Sequence, residues 1–331
     1  MDILYTCDNN YVWLMGISAI SLFENNRSIE NLTVYLLGER ISNENKKILS
    51  QIGRKYERTI VVIDVPKLNI PEILVSARWP VSAFTRLYSG QLLPKSVHKV
   101  LYLDCDTIVR GNIAELLLFD LETAMCGGVK DCIGKTYKEN IGLYSDEEYI
   151  NAGVILFNVE EMRKIDIGNV IDTYMKKYLR FINYADQDIL NMIFKGKIKV
   201  LPPQFNMMTI TSVYSYEDII RLRRPTNYYC KEDIITAVKN PIIIHYTTNM
   251  RTVRPWFSNA THPYTSLFHT YMDISPWVNR KMQHMIFTSK ESKIIGVLIK
   301  LPKKVALNLL GTIHSELRPR YIRIVGKKRI I

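Results

Sequence analysis

Cysteine is scarce in this chain: five residues in 331, at positions 7, 105, 126, 132 and 230. The number is odd, Cys126 and Cys132 lack Cys-x-x-Cys spacing, and no set resembles a zinc site or a disulfide framework. Such usage fits a reducing compartment. Met1-Asp2-Ile3-Leu4-Tyr5 offers no basic segment followed by a long apolar one, so no signal peptide is expected. No apolar run approaches the ~18 residues of a membrane-spanning helix. Gly-x-Gly-x-x-Gly is also missing after the first predicted strand, where Asp8-Asn9-Asn10 stands instead, which excludes the usual dinucleotide cradle. Low-complexity segments and fixed-period repeats are absent. These absences predict a cytoplasmic globular protein.

Acidic residues are missing from one end. Residues 280–331 hold 13 of the 44 Lys and Arg but only Glu291 and Glu316 among the acids, and so carry +11 of the total +12. The chain therefore divides into a nearly neutral body, 1–279, and a basic tail, 280–331.

What is present is an alternation of strand and helix patterns. Asp2–Cys7 reads as a buried strand, Tyr11–Leu22 as a helix, Leu32–Gly38 as a strand, and Thr59–Val65 as a third strand. Ser42 is placed to cap a helix between the last two. The pattern predicts an α/β fold with one doubly wound sheet. Ser82–Leu93 and Met162–Leu179 each read as one helix, with Arg86 as a surface residue of the first. Met125–Val129 is a short strand candidate. Gly153, in Asn151-Ala152-Gly153-Val154, would let another group approach the backbone.

Val100-Leu101-Tyr102-Leu103 leads into Asp104-Cys105-Asp106. On a continuing strand both carboxylates would point to one side, where their repulsion calls for a counter-charge. A hard divalent cation at the strand's end would supply it. The plain alternative is two solvated Asp in a turn. Asp186-Gln187-Asp188 opens a helix, where acids are ordinary, though three short polar groups there could equally line a sugar pocket. Ile242-Ile243-Ile244-His245 is a late strand ending in a lone His, which is either hydrogen-bonded or a ligand.

Taken in order, Asp8-Asn9-Asn10-Tyr11, Arg86, Asp104-Cys105-Asp106, Asn151-Ala152-Gly153-Val154, Asp186-Gln187-Asp188, Gln204-Phe205-Asn206, His245-Tyr246 and Arg254-Pro255-Trp256 resemble glycosyltransferase family 8. The likeness is strongest to its bacterial lipooligosaccharide α-galactosyltransferase branch. It implies a GT-A fold and a retaining transfer of hexose from UDP-glucose or UDP-galactose to a glycan, glycolipid or glycoprotein acceptor. It further implies that Asp104, Asp106 and His245 hold Mn²⁺ or Mg²⁺, the imidazole favouring manganese. Thr6, Asp8, Asn10 and Tyr11 would contact the nucleotide, with Tyr11 stacked on uracil. Arg86, Asn151, Ala152 and Asp186 would orient the donor sugar. Gln187 would lie beneath the anomeric carbon, and Asp188 is the nearby carboxylate able to act as a nucleophile. The related enzymes usually read His-x-x-Gly-x-x-Lys-Pro-Trp. Here Thr248 replaces the Gly, three extra residues intervene and Arg254 stands for the Lys, with Arg251 competing for the diphosphate. Val75, Ser76, Tyr184 and the region after Gln204 would form the acceptor pocket.

Two other readings are a UDP-sugar hydrolase and a non-catalytic basic protein. Nucleic acid is a poor partner, because the body is neutral and the tail alternates basic and apolar groups. That alternation, divided by Pro302, predicts two amphipathic segments lying on an anionic membrane, which would put the protein at the inner face of the plasma membrane. The competing arrangement is a tail packed on the body with a solvated basic end.

Overall fold

The apolar runs at 2–8, 99–103 and 150–158 become strands buried on both faces, as a sheet covered on two sides requires, whereas 59–64 is half-buried. The computed structural model describes residues 1–66, 68 and 81–328. Val75, Ser76 and Arg329 lie outside the described residues. The strands are β1 (Asp2–Asp8), β2 (Thr33–Glu39), β3 (Thr59–Asp64), β4 (Lys99–Leu103), β5 (Thr107–Val109), β6 (Cys126–Lys130), β7 (Ile150–Asn158), β8 (Ile198–Val200), β9 (Met207–Met208) and β10 (Ile243–His245). The main sheet runs β3-β2-β1-β4-β7-β6-β8, and β7 alone opposes the direction of the others. A smaller sheet, β5-β10-β9, lies beside it. This is the expected α/β architecture with a mixed, mostly parallel sheet, and the small sheet is an addition to the single one expected.

Helix Val12–Asn25 is buried almost all round because it packs between β1 and β5. Its few polar side chains have structural work there. Ser18 Oγ bridges the Tyr5 hydroxyl and Thr107 Oγ1, both at 2.9 Å, and Ser21 Oγ accepts the Val109 N–H at 2.9 Å. The free edge of β5 is thus satisfied by a helix instead of a strand. Ser42 caps helix Asn43–Lys55 by accepting the Asn45 N–H, as expected.

Four local expectations are corrected. The segment read as one helix over 162–179 is two, Val159–Arg163 and Ile167–Tyr178, because Asn158 and Asp166 each cap a new start. The segment 82–93 is broken into Val81–Thr85, a 3₁₀ turn at Arg86–Tyr88, and Ser89–Leu92. Arg86 is not a surface residue: it is 6% exposed. Finally, β4 stops at Leu103, so Asp104 and Asp106 lie in the turn that carries the chain from the large sheet to β5 in the small one.

The tail is helical. Lys290–Leu298 and Lys303–Gly311 are separated at Pro302, as expected, and a π-helical stretch Thr312–Leu317 leads into Arg318–Lys328. Leu307 and Leu310 are buried against Ile219 and Leu222 of helix Tyr216–Arg223. Gly311 is required there, since a Cβ would sit 2.2 Å from the Arg221 carbonyl oxygen. Arg323 adds an ion pair to Glu139 at 2.9 Å. No helix among the described residues is long and apolar enough to cross a membrane.

Candidate active site

A cleft of about 370 Å³ opens over the carboxyl end of β4 and the start of β7, lined by Arg86, Asp104, Asp106, Asp131, Asn151, Ala152, Asp186, Gln187, His245 and Thr248 among others. The ends of the strands deliver these groups, the usual place for a ligand in an α/β sheet. Asp104, Asp106 and His245 each place one ligand atom within 4.8 Å of the other two. His245 Nε2 is 3.3 Å from Asp106 Oδ1 and 3.6 Å from Asp104 Oδ2. Gly153 makes room for them, because a Cβ there would lie 2.1 Å from His245 Cε1 and 2.8 Å from Asp104 Oδ2. The close approach expected at this glycine is therefore made by the His and the carboxylate.

The orientation of the polar groups follows from two backbone donors. Ala152 N–H donates to Gln187 Oε1 at 3.1 Å and Gly153 N–H donates to Asn151 Oδ1 at 3.0 Å, which identifies both amide oxygens. Asn206 Nδ2 must then donate to Asn151 Oδ1, at 2.9 Å, leaving Asn206 Oδ1 to accept from His245 Nδ1 at 2.9 Å. Asn151 Nδ2 donates to Gln187 Oε1 at 3.0 Å, and Gln187 Nε2 to Asp131 Oδ2 at 3.0 Å. One directional chain thus runs His245→Asn206→Asn151→Gln187→Asp131. Its consequence is at the first member: Nδ1 keeps its proton, so Nε2 is the nitrogen turned to the two carboxylates; its own proton makes the imidazolium that attracts Asp106, and loss of that proton frees a lone pair for a cation. Two oxygens and one such imidazole nitrogen fit a divalent cation, and the carbonyl behind Nδ1 is the support metal-ligating His residues ordinarily have.

Arg86 braces the other side. Its Nη1 is 3.0 Å from Asp104 Oδ1 and donates to the Ala152 carbonyl at 2.6 Å, and the guanidinium lies 4.3 Å from the centre of the Tyr102 ring. Tyr102 donates its hydroxyl to Asp104 Oδ1 at 2.6 Å. Asp186 Oδ2 is 3.1 Å from Arg86 Nε, close enough for Coulomb attraction but poorly aligned for a hydrogen bond. Burial raises the Asp186 pKa to about 6, with Arg86 opposing the rise. Burial also works against the Asp106 charge, yet His245 and then Arg254 outweigh it and hold Asp106 below the usual carboxylate range.

Several expected residues stand elsewhere. Asp188 is fully buried behind the cleft, and its oxygens accept from the Tyr137 and Tyr149 hydroxyls, both at 2.6 Å, and from the Asn183 and Tyr184 N–H groups, both at 2.8 Å. Ala185, just before these acids, holds a left-handed φ of 42°, a local strain of about 1–3 kcal/mol. Thr6 sits behind Tyr102, with the two hydroxyls 3.2 Å apart. Asp8 Oδ1 accepts from the backbone N–H groups of Asn10 and Tyr11. Asn10 and the exposed Tyr11 line a neighbouring cleft with Trp13, Trp256 and Arg280. Arg254 Nη1 lies 3.5 Å from Asp106 Oδ2, whereas Arg251 is turned away onto Phe287, 4.9 Å from its ring centre.

Tyr102 and Asp131 escaped the sequence reading. Asp131 follows the carboxyl end of β6, the position where an α/β sheet places its ligand groups, and that was its one signal. Asn206, expected with the region after Gln204 in an acceptor pocket, is bonded to His245 and Asn151 instead.

The sequence profile of Glycosyl transferase family 8 matches residues 2–260. The chain belongs to this family. It is 24% identical over 281 residues to the lipopolysaccharide 1,2-glucosyltransferase of Escherichia coli (strain K12), covering 84% of this chain and 79% of that one. It is 22% identical over 284 residues to the lipopolysaccharide 1,3-galactosyltransferase of Salmonella typhimurium, covering 83% and 79%. A crystal structure of the galactosyltransferase LgtC, solved with donor and acceptor sugar analogs, superposes with a TM-score of 0.67 at 25% identity, covering 88% of this chain and 99% of that one. The family 8 chain described here is thus a glycosyltransferase of GT-A fold with a helical C-terminal region.

Proposed function

We propose that this family 8 protein moves glucose or galactose from UDP to a bacterial glycan acceptor with retention of anomeric configuration, using Mn²⁺ or Mg²⁺. The observation that carries this reading is the meeting of the Asp104–Asp106–His245 donors and the Gln187 amide in one cleft, joined by a single hydrogen-bond chain. A divalent ion, when bound, supplies positive charge against the departing diphosphate. Arg254 is the better placed of the two arginines to add to it, since it faces Asp106 while Arg251 does not. Arg86 and Asp186 orient sugar hydroxyls. Four donors already occupy the oxygens of Asp188, which argues against a covalent bond from it to the sugar. Attack on the same face as departure, beside the Gln187 amide, is therefore favoured.

Incubation with Mn²⁺, each UDP-sugar and a panel of glycans, with the linkage read by NMR, tests the reading. A new α-linked hexose is expected from an α-configured donor. An inverted product overturns the mechanism, and release of free sugar alone would establish the hydrolase reading.

We propose as well that the tail rests on the anionic cytoplasmic face of a membrane. Ile294, Val297, Ile299 and Leu301 are exposed among Lys290, Lys293 and Lys300, the composition of an interfacial helix. The membrane face is narrower than the sequence implied, because Leu307 and Leu310 are buried on the body. Sedimentation with anionic vesicles should be lost at high salt and in Ile294→Asn/Val297→Asn. Equal binding to neutral vesicles would remove this role.

A further inference from the structure

The cleft also has a side that faces the tail. Cys132, Ile133, Tyr184 and Arg223 line it, and the same four residues line an adjoining crevice with His314 and Arg318 of the tail. Arg223 differs from its neighbours in what it is paired with. Arg221 lies 3.5 Å from Asp218 and Arg224 lies 3.0 Å from Glu316, but no carboxylate among the described residues comes within ion-pair distance of Arg223. Its Nη1 donates to His314 Nε2, Nη2 has only a 3.5 Å contact with Asn249 Oδ1, and Nε is buried with no acceptor. Asp131 shares the cleft, but its Oδ1 accepts the Cys132 N–H at 2.7 Å and its Oδ2 takes the Gln187 amide.

The charge of Asp131 reaches Arg223 only from beyond ion-pair distance, and a guanidinium held half out of water with no carboxylate in contact is costly. A ligand that brings an anion would offset that cost, and the planar fork of Arg suits carboxylate and phosphate oxygens alike. We infer that the acceptor sugar carries a negatively charged group, the carboxylate of an acidic sugar or a phosphate substituent, that seats on Arg223. This rests on the transferase reading, with the rest of the acceptor lying toward Gln187 over the apolar surface of Ile133, Met208 and Ile210. The neutral His314 on the far side of the guanidinium positions it without cancelling its charge.

The test is calorimetric titration of the protein with its tail, saturated with UDP and Mn²⁺, with galactose, galacturonate and galactose 6-phosphate. At least one charged sugar is expected to bind about tenfold or more tighter than galactose, the range of a charge-assisted hydrogen bond. Which one does so identifies the anion. In Arg223→Gln the advantage should fall to about twofold or less, while Arg223→Lys, which retains charge but not the fork, should keep part of it. Melting curves of both variants report whether the tail contact survives. If Arg223→Gln does not fold, the wild-type preference and its reduction in Arg223→Lys decide the matter. Equal binding of charged and neutral sugars by the wild type, no detectable binding of either charged sugar, or a preference undiminished in folded Arg223→Gln or Arg223→Lys overturns the inference. Failure to release UDP from any UDP-sugar would instead count against the transferase reading, and the calorimetry is independent of turnover.

Discussion

Around Gln187 the side-chain amide is fully engaged, its oxygen by Ala152 and Asn151 and its nitrogen by Asp131 and Tyr149, whereas around Arg223 a guanidinium keeps a donor with no partner. The first region is built on strand ends β4, β7 and β10 plus one buried helix start. The second is built on a helix end and a tail that closes over it. Backbone ladders hold the first in place, so its side chains are positioned before any ligand arrives, as transition-state stabilisation requires. The second is held by packing of Leu307 and Leu310 and a few side-chain bonds, Ser315 to the Arg223 carbonyl among them.

The comparison breaks most visibly at Asp106. Asp106→Ala should lower kcat by a factor on the order of 10³ while far-ultraviolet circular dichroism stays unchanged, and chelation of the wild type should do the same until Mn²⁺ is restored. Full turnover after rigorous chelation would sink the metal assignment. Gln187→Ala should cost about 10² in rate and leave measurable transfer, because an amide that stabilises charge is not a bond-forming group. Isolation of a glycosyl-enzyme on Asp188 would reverse that conclusion. Asn206→Ala releases His245 Nδ1 and should weaken Mn²⁺ about 10- to 100-fold, measured by electron paramagnetic resonance; unchanged affinity would show that the hydrogen-bond chain does not orient the ligand.

The tail side should instead be broken by acid. Burial, and then Arg223 and Arg318, hold the His314 pKa down to about 2, against about 6.5 in an undocked tail. The undocked state therefore binds the extra proton. Docking is fully present above pH 6.5 and is progressively lost as pH falls from there toward 2, by about 1.4 kcal/mol at pH 5.5. Hydrogen exchange, corrected for intrinsic rates, should show residues 303–328 losing protection over this range before the β1–β4 core does, and His314→Gln should abolish the pH dependence. Equal loss of protection in both regions would erase the distinction between them.

Where structure depends on neighbours in the chain, the sequence was readable. The strand and helix alternation, the Ser42 cap, the break at Pro302 and the need for space at Gly153 all appear as expected, because each rests on local periodicity or on one residue's backbone chemistry. The strand-end carboxylates were likewise legible, although the strand stops at Leu103 and a turn, not continued alternation, brings Asp106 beside Asp104. The two helices read as continuous were broken by the Asp166 cap and by the 3₁₀ turn at Arg86, since apolar spacing can survive such an interruption.

The amino-acid order by itself thus determined the elements, the presence of a paired-carboxylate site and the separation of a neutral body from a basic tail. Tertiary structure alone decided that Arg86 is buried against Asp104 and Asp186, that Asp188 is spent on two tyrosines and two backbone N–H groups, that Asn206 selects the His245 tautomer, and that Leu307 and Leu310 of the tail belong to the body. The physical reason is the same in each case. A polar side chain's role depends on which donor or acceptor completes it, and here those partners come from elements far away in the chain.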